Sequence, residues 1–297
     1  MAAPESSRSS SEAKPDLAII CAHGLMPHEI AQAALDAGRR PFLVGIEGEA
    51  EETIAAMPVH MLAWGQFGRL ILMLKERGIG EVVFAGAVRK RPDFLKMKLD
   101  WGTIRALPKI LGFMIGGDNT VLSGTIKLFA GHGIDVLGAH QVAPHLLAGA
   151  GAIAGRKPAR ADMRNIREAF AACKALGHLD IGQAAIAEGG RVVAVEGAEG
   201  TSEMLLRIVR NREIGRMPRE GKNGVIVKTM KPEQDVRADL PAIGPDTVDL
   251  AVRAGLRGIA LEADKSIILG RAQTVARARE AGLYIYGVRG EELEGNG

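Results

Sequence analysis

Three short segments near the start of the chain restrict its fold more than anything that follows. Leu17–Ala22 (LAIICA) is an unbroken apolar run of strand length, and Pro41–Ile46 (PFLVGI) is a second one. Between them, Met26–Gly38 sets Ile30, Ala33, Ala34 and Leu35 on one face at helical spacing. A strand covered on both faces reads as a continuous apolar run. Two such strands joined by a helix make the βαβ unit of a doubly wound, Rossmann-like parallel sheet. The pattern continues through a helix at Gly65–Gly78 that ends on glycine, a strand at Glu81–Val88, a helix from Asp118 to about Ala130, and a strand at Ile134–Gly138. Aromatic content of 4% against 38 glycines suits such a fold, with its many tight strand-to-helix turns.

The remainder reads differently. From Pro144 to Pro158 the chain turns to Ala, Gly and basic residues, which predicts a linker at 147–160 between an N-terminal α/β domain (16–146) and a second domain (161–290). That domain opens with a helix at Asp162–Gly177. A hairpin follows at Ile186–Val195, turning at Glu188-Gly189-Gly190, then a helix at about Glu203–Arg210 and a strand at Gly224–Val227. Helix and strand patterns alternate from Thr247 to Val288. The expectation is an α/β, two-domain chain: a Rossmann-like parallel sheet, then an α+β domain with a mixed sheet.

Several function classes lose support at once. The formal net charge of +3 in 297 residues argues against bulk nucleic-acid binding, which needs a clustered basic face. Cys21 and Cys173 stand far apart, so neither a thiolate zinc site nor a disulfide framework is expected. Residues 1–15 are Ser-rich without the apolar core of a secretory signal and read as a disordered leader, and no apolar run reaches membrane-spanning length. The expected location is the cytoplasm. The first turn lacks G-x-G-x-x-G, which removes the main support for a dehydrogenase. Gly24 could still let a helix N-terminus meet a phosphate, and a glycine needed only for its backbone angles accounts for it equally well.

Candidate chemistry concentrates in Lys228–Gly244 (KTMKPEQDVRADLPAIG), a long charged connection between a strand and a helix. It carries Lys228, Lys231 and Arg237, the acids Glu233, Asp235 and Asp239, Gln234 and two prolines. Loops this long on a rigid scaffold tend to carry sites, although a solvated surface loop is the plain alternative. Arg89–Phe94 (RKRPDF) sets Arg91 and its neighbours beyond a strand's carboxyl end, where open α/β sheets bind ligands. Phe94–Gly117 mixes Lys96, Lys98, Arg105 and Lys109 with Trp101 and many apolar residues. That mixture suits a membrane interface or an acyl channel, and also a helix pair packed on the core. Asp118 and Asn119 offer helix capping, and His140 at a strand end could carry a proton or simply be hydrogen-bonded.

These motifs fall in an order that identifies a family resemblance. GQFG (65–68), VFAGAVRKRPDF (83–94), GDN (117–119), GAHQV (138–142), LDIGQ (179–183), VVAVEGAEGTSEML (192–205) and KPEQDVRADLPAIG (231–244) together resemble the UDP-2,3-diacylglucosamine pyrophosphatases of lipid A synthesis. The resemblance implies a cleft between two domains, holding UDP-2,3-diacylglucosamine for Mg²⁺-assisted hydrolysis to UMP and 2,3-diacylglucosamine 1-phosphate. It implies an essential acid at Asp239, which holds the metal or activates the water; a hard cation's need for oxygen ligands adds Asp235 or Glu196 as a helper ligand. Gly24, Arg91, Asp118, Asn119, His140, Gln183, Thr201, Lys228, Lys231, Gln234 and Arg237 are the expected substrate contacts. The inner-leaflet membrane surface and a homodimer are the expected further partners. Cys21-Ala22-His23-Gly24 departs from the family's usual run of glycines. The chemistry suits these residues, because hydrolysis puts water on phosphorus while cations neutralise both phosphates. A non-catalytic sensor of nucleotide sugar or lipid in the same cleft is the rival reading. Three acids in the charged loop count against it, since a binder of anions gains little from them.

Overall fold

The structure, a computed structural model, describes residues 16–88, 97–114, 118–218, 223–232, 234–237 and 240–294, with the side chains of 109–114 and 118–122 outside that description. The first domain runs β1 (Leu17–Cys21), α1 (Met26–Asp36), β2 (Pro41–Ile46), β3 (Thr53–Ile54), β4 (Met57–Pro58), β5 (His60–Leu62), α2 (Phe67–Arg77), β6 (Glu81–Ala85), α3 (Trp101–Met114), α4 (Asp118–Ala130), β7 (Asp135–Leu137) and α5 (Ala139–Val142). Five strands form a wholly parallel sheet in the order β5-β2-β1-β6-β7. The order reverses between β1 and β6, so the crevice beyond their carboxyl ends is the switch point where doubly wound sheets bind ligands. Alternating strand residues cover both faces. Ile20, Val44 and Val82 pack with Leu74 of α2 and Phe129 of α4, while Ile19, Leu43 and Val83 pack with Ile30 and Ala34 of α1.

Asp100 ties two helix starts together on this carboxyl side. Its carboxylate accepts the backbone N–H groups of Gly68, Arg69 and Thr103, and Thr103 Oγ1 accepts that of Phe67. Burial would raise its pKa, but these donors outweigh burial and hold it below the usual carboxylate range.

The second domain runs β8 (Gly151–Ala154), α6 (Arg160–His178), β9 (Ala184–Glu188), β10 (Arg191–Val195), α7 (Gly200–Glu213), β11 (Val225–Lys228), β12 (Ala242–Ile243), α8 (Pro245–Arg253), β13 (Gly258–Glu262), β14 (Ile267–Ile268), α9 (Arg271–Glu280), β15 (Tyr284–Val288) and α10 (Gly290–Glu294). Its six-stranded sheet, β10-β9-β11-β13-β15-β8, is parallel only across β11, β13 and β15. Helix α6 packs on one face through Ile166, Ala169 and Cys173, and α7 and α8 pack on the other through Leu205, Ile208, Val248 and Ala251.

One expected linker segment is built otherwise. Gly151–Ala154 forms β8 and pairs antiparallel with β15. The chain just before β8 runs close against β15, because a side chain on Gly287 would run into the carbonyl of Gly149.

The domains meet through the short parallel pair β12 and β14. Leu240 and Ile267 pack in one cluster with Ile30 and Ala139 of the first domain, with Met230 and Leu269 alongside. Glu29 of α1 accepts the N–H of Gly270 at 2.8 Å, at the start of α9.

Candidate active site at the domain junction

The charged loop leaves β11 and reaches the switch point of the other domain. Val236, Arg237 and Leu240 line a small cleft of about 60 Å³ with Met26, Phe84, Gly86, Ala139 and Ile267. Met26 starts α1 just after β1, and Phe84 and Gly86 stand at the end of β6, so this cleft lies at the reversal of strand order. Gly86 is required there: its φ is +101°, and a Cβ would stand 2.8 Å from the Ala22 carbonyl carbon and the His23 oxygen. His23 and Ala87 form a bridge across the same gap. Gly24 has φ of +111° with open space around it, and Leu25, which precedes α1, gives that helix no side-chain cap. Backbone angle alone therefore accounts for a glycine at this turn, and among the described residues no side-chain cap occupies the first turn of α1.

The loop is pinned at several points. Lys228 is buried and donates to the carbonyl of Ala242 at 3.0 Å, closing the base of the loop on β12. Lys231 donates to Asp180 at 2.7 Å, and its N–H is accepted by Gln234 Oε1. The buried Glu262 carboxylate, at the end of β13, accepts Met230 N–H at 3.0 Å, Lys174 Nζ at 2.6 Å and Lys265 Nζ at 3.1 Å. Asp235 accepts three hydrogen bonds from Arg237: the backbone N–H at 3.0 Å, Nε at 2.9 Å and Nη2 at 2.7 Å. That side-chain pairing holds the Asp235 carboxyl below the usual range. Of the three loop cations, Arg237 combines a cleft position with real exposure, its side chain being 43% accessible against 11% for Lys231.

A second group sits at the matching edge of the other sheet. Glu196, buried at the end of β10, accepts Gln183 N–H at 2.9 Å on one oxygen and the Thr201 hydroxyl at 2.6 Å on the other. Thr229 N–H donates to the Gln183 carbonyl, which joins this group to the end of β11. Gln183 Oε1 and Thr229 Oγ1 are enclosed with no hydrogen-bond partner among the described residues. An amide oxygen and a hydroxyl left over beside a charged loop can bond a polar ligand or water. The enclosed Nδ1 of His140, just beyond β7, likewise has no partner among the described residues, and burial lowers its pKa.

The structure thus gathers Gln183, Glu196, Thr201 and Lys228 at one sheet edge, and sets Arg237 beside the end of the other. Gly24 and His140 stand on the first-domain side. Asp239 and Arg91 lie outside the described residues, as do the side chains of Asp118 and Asn119. The described neighbours of Asp239, Arg237 and Leu240, both line the cleft. No group of three metal-ligating side chains occurs among the described residues, and Asp235 and Glu196 are each engaged by protein donors. Mg²⁺ is commonly held by one or two carboxylates together with substrate phosphates, so this donor set fits at most an ion that arrives with the substrate. Sequence reading passed over Glu262, Asp180 and Thr229. The one available signal for Glu262 was an acid closing an apolar strand, GIALE.

Two family models match this chain, the LpxI N-terminal domain over residues 16–146 and the LpxI C-terminal domain over residues 149–286. A curated relative, the UDP-2,3-diacylglucosamine pyrophosphatase LpxI of Caulobacter vibrioides, is 34% identical over 276 residues, which is 93% of this chain and 98% of the relative. With both domain models matched in order and a relative aligned nearly end to end, this chain belongs to the LpxI family.

Proposed function

We propose that the chain hydrolyses the pyrophosphate bond of UDP-2,3-diacylglucosamine, releasing UMP and 2,3-diacylglucosamine 1-phosphate, in the cleft between its domains. The observation that carries this reading is the meeting of Arg237, on a loop of the second domain, with the switch point of the first. A diphosphate there would face an arginine fork on one side and the uncapped start of α1 on the other. Both favour anions. The relative's name supports this substrate, and the cleft geometry supports a diphosphate bound there.

In the proposed reaction a water oxygen bonds to one phosphorus, the bridging P–O bond breaks, and the departing phosphate leaves as an anion while the water gives up a proton. Arg237, held in orientation by Asp235, offsets the charge that grows on the phosphates. Asp239 is the carboxylate proposed to serve the attacking water, directly or as a ligand of Mg²⁺. When bound, the ion would supply further charge neutralisation. The two acyl chains of such a substrate make the inner leaflet its natural source. No helix among the described residues is long and apolar enough to cross a membrane.

The test is UMP release from purified protein given UDP-2,3-diacylglucosamine, with and without Mg²⁺. Steady release that stops on chelation is expected. Saturable binding with no UMP under either condition would establish the sensor reading instead.

A further inference from the structure

Away from the cleft, on the outer side of the first domain, α2, α3 and the end of α4 enclose an open groove of about 590 Å³. It exists because α2 and α3 cross in backbone contact: a Cβ on Gly68 would stand 2.6 Å from Gly102 Cα. Beyond that crossing the helices diverge over an apolar floor that includes Ile71, Ala106 and Leu128. Lys75, Arg105 and Lys127, one from each helix, stand on the rim, and none of the described lining residues is acidic. The surrounding surface is apolar where a soluble face is usually polar. Trp101 is 79% exposed, and Leu72, Ile104 and Leu99 are exposed with it. Trp101, Ile104 and Arg105 share one face of α3 by their spacing, as Leu72 and Lys75 do on α2.

We propose that this α2–α3–α4 face docks on the surface of an anionic phospholipid bilayer. The indole of Trp101 and the side chains of Leu72 and Ile104 enter the boundary between headgroups and acyl chains, and Lys75, Arg105 and Lys127 meet lipid phosphates. Tryptophan with scattered aliphatics under a one-signed basic rim is the side-chain chemistry of an interfacial membrane contact. The sign of the charge selects the occupant, because a neutral protein surface would leave three clustered cations unmatched. The groove also opens near the working edge of the sheet. Asp100 pins the starts of α2 and α3 together, and the start of α2 follows the carboxyl end of β5, so the docking face reaches the sheet end that also carries the cleft. The docking itself does not rest on the proposed lipid substrate; its effect on turnover does.

The experiment is sedimentation of the full chain with vesicles of phosphatidylcholine, and of phosphatidylcholine with one-third phosphatidylglycerol, with no substrate present. Binding to the anionic vesicles is expected, with weakening in 0.5 M salt. Lys75→Gln/Arg105→Gln/Lys127→Gln is expected to bind on the order of 100-fold more weakly, from roughly a fivefold loss per cation. Trp101→Ser/Leu72→Ser is expected to lose on the order of 10-fold or more. All five positions are partly or largely exposed, so both variants are expected to melt like the parent. Both should also hydrolyse detergent-dispersed substrate at the parental rate while slowing on substrate embedded in vesicles. Three results would overturn the proposal: no binding of the parent to anionic vesicles, binding by both variants equal to the parent, or a concentration-dependent dimer that the variants abolish. Hydrolysis in detergent is read separately, so loss of docking and loss of the hydrolase reading are distinct outcomes.

Discussion

Replacing Glu262 by glutamine should loosen the root of the charged loop, and its cost can be worked from the contacts. The carboxylate is buried and accepts Met230 N–H, Lys174 Nζ and Lys265 Nζ. Removing one member of a fully buried ion pair costs about 3–5 kcal/mol, because the other charge is left uncompensated. Here Lys174 is 27% exposed and Lys265 is 51% exposed, so both can regain water. Lys265 then contributes less than about 1 kcal/mol, as surface pairs do, and Lys174 about 1–2 kcal/mol. Glutamine keeps an oxygen for Met230 N–H, which gives a total near 2 kcal/mol. Alanine also strands that N–H, adding about 1–2 kcal/mol. For a domain of this size, 2 kcal/mol lowers Tm by roughly 4–8 °C. Thermal melts followed by circular dichroism would measure this, with alanine falling further than glutamine. A Glu262→Gln protein melting within about 1 °C of the parent, or equal to the alanine variant, would refute the reasoning.

Arg237→Lys should cut kcat/KM by about 10- to 100-fold, the loss of a charge-assisted fork, while leaving Tm nearly unchanged because the side chain is exposed. An unchanged kcat/KM would remove Arg237 from the site. Burial lowers the pKa of His140, so the folded state favours the neutral ring, and its contribution is complete above the unfolded value of about 6.5 and declines as pH falls through the lower folded value. Urea melts at pH 7.5 and 5.5 should therefore show a smaller acid loss in His140→Gln than in the parent, and equal losses would place that slope elsewhere. Gly86→Ala should cost about 2–4 kcal/mol, because the new Cβ meets backbone atoms at a φ of +101°. A variant as stable as the parent would show that the ends of β1 and β6 can part freely.

The central strands of both sheets were legible because they are buried on two faces and read as apolar runs, such as LAIIC of β1 and the Val-Ile-Val of β11. Strand β8 was not, because it is held by antiparallel backbone pairing with β15, far along the chain, and its Gly and Ala composition serves a linker equally well. The loop at Lys228–Gly244 stood out by charge and length, but what fixes it did not. Lys231 pairs with Asp180 and Met230 with Glu262 across 51 and 32 residues, separations at which no local pattern links the partners. Resemblance chose Asp239 among three acids, which no composition could do. The packing of domains, in contrast, decides which cation of the loop meets the cleft, and it selects Arg237 over Lys228 and Lys231.

The central claim is that substrate lies where the second domain's loop meets the first domain's switch point. Hydrogen exchange on the Asp239→Ala protein, with and without uncleaved UDP-2,3-diacylglucosamine, tests it most directly. Slowed exchange is predicted together in three segments, 22–28, 84–88 and 234–240, from both domains. Protection confined to one domain, or absent from all three segments while the substrate is demonstrably bound, would contradict the account.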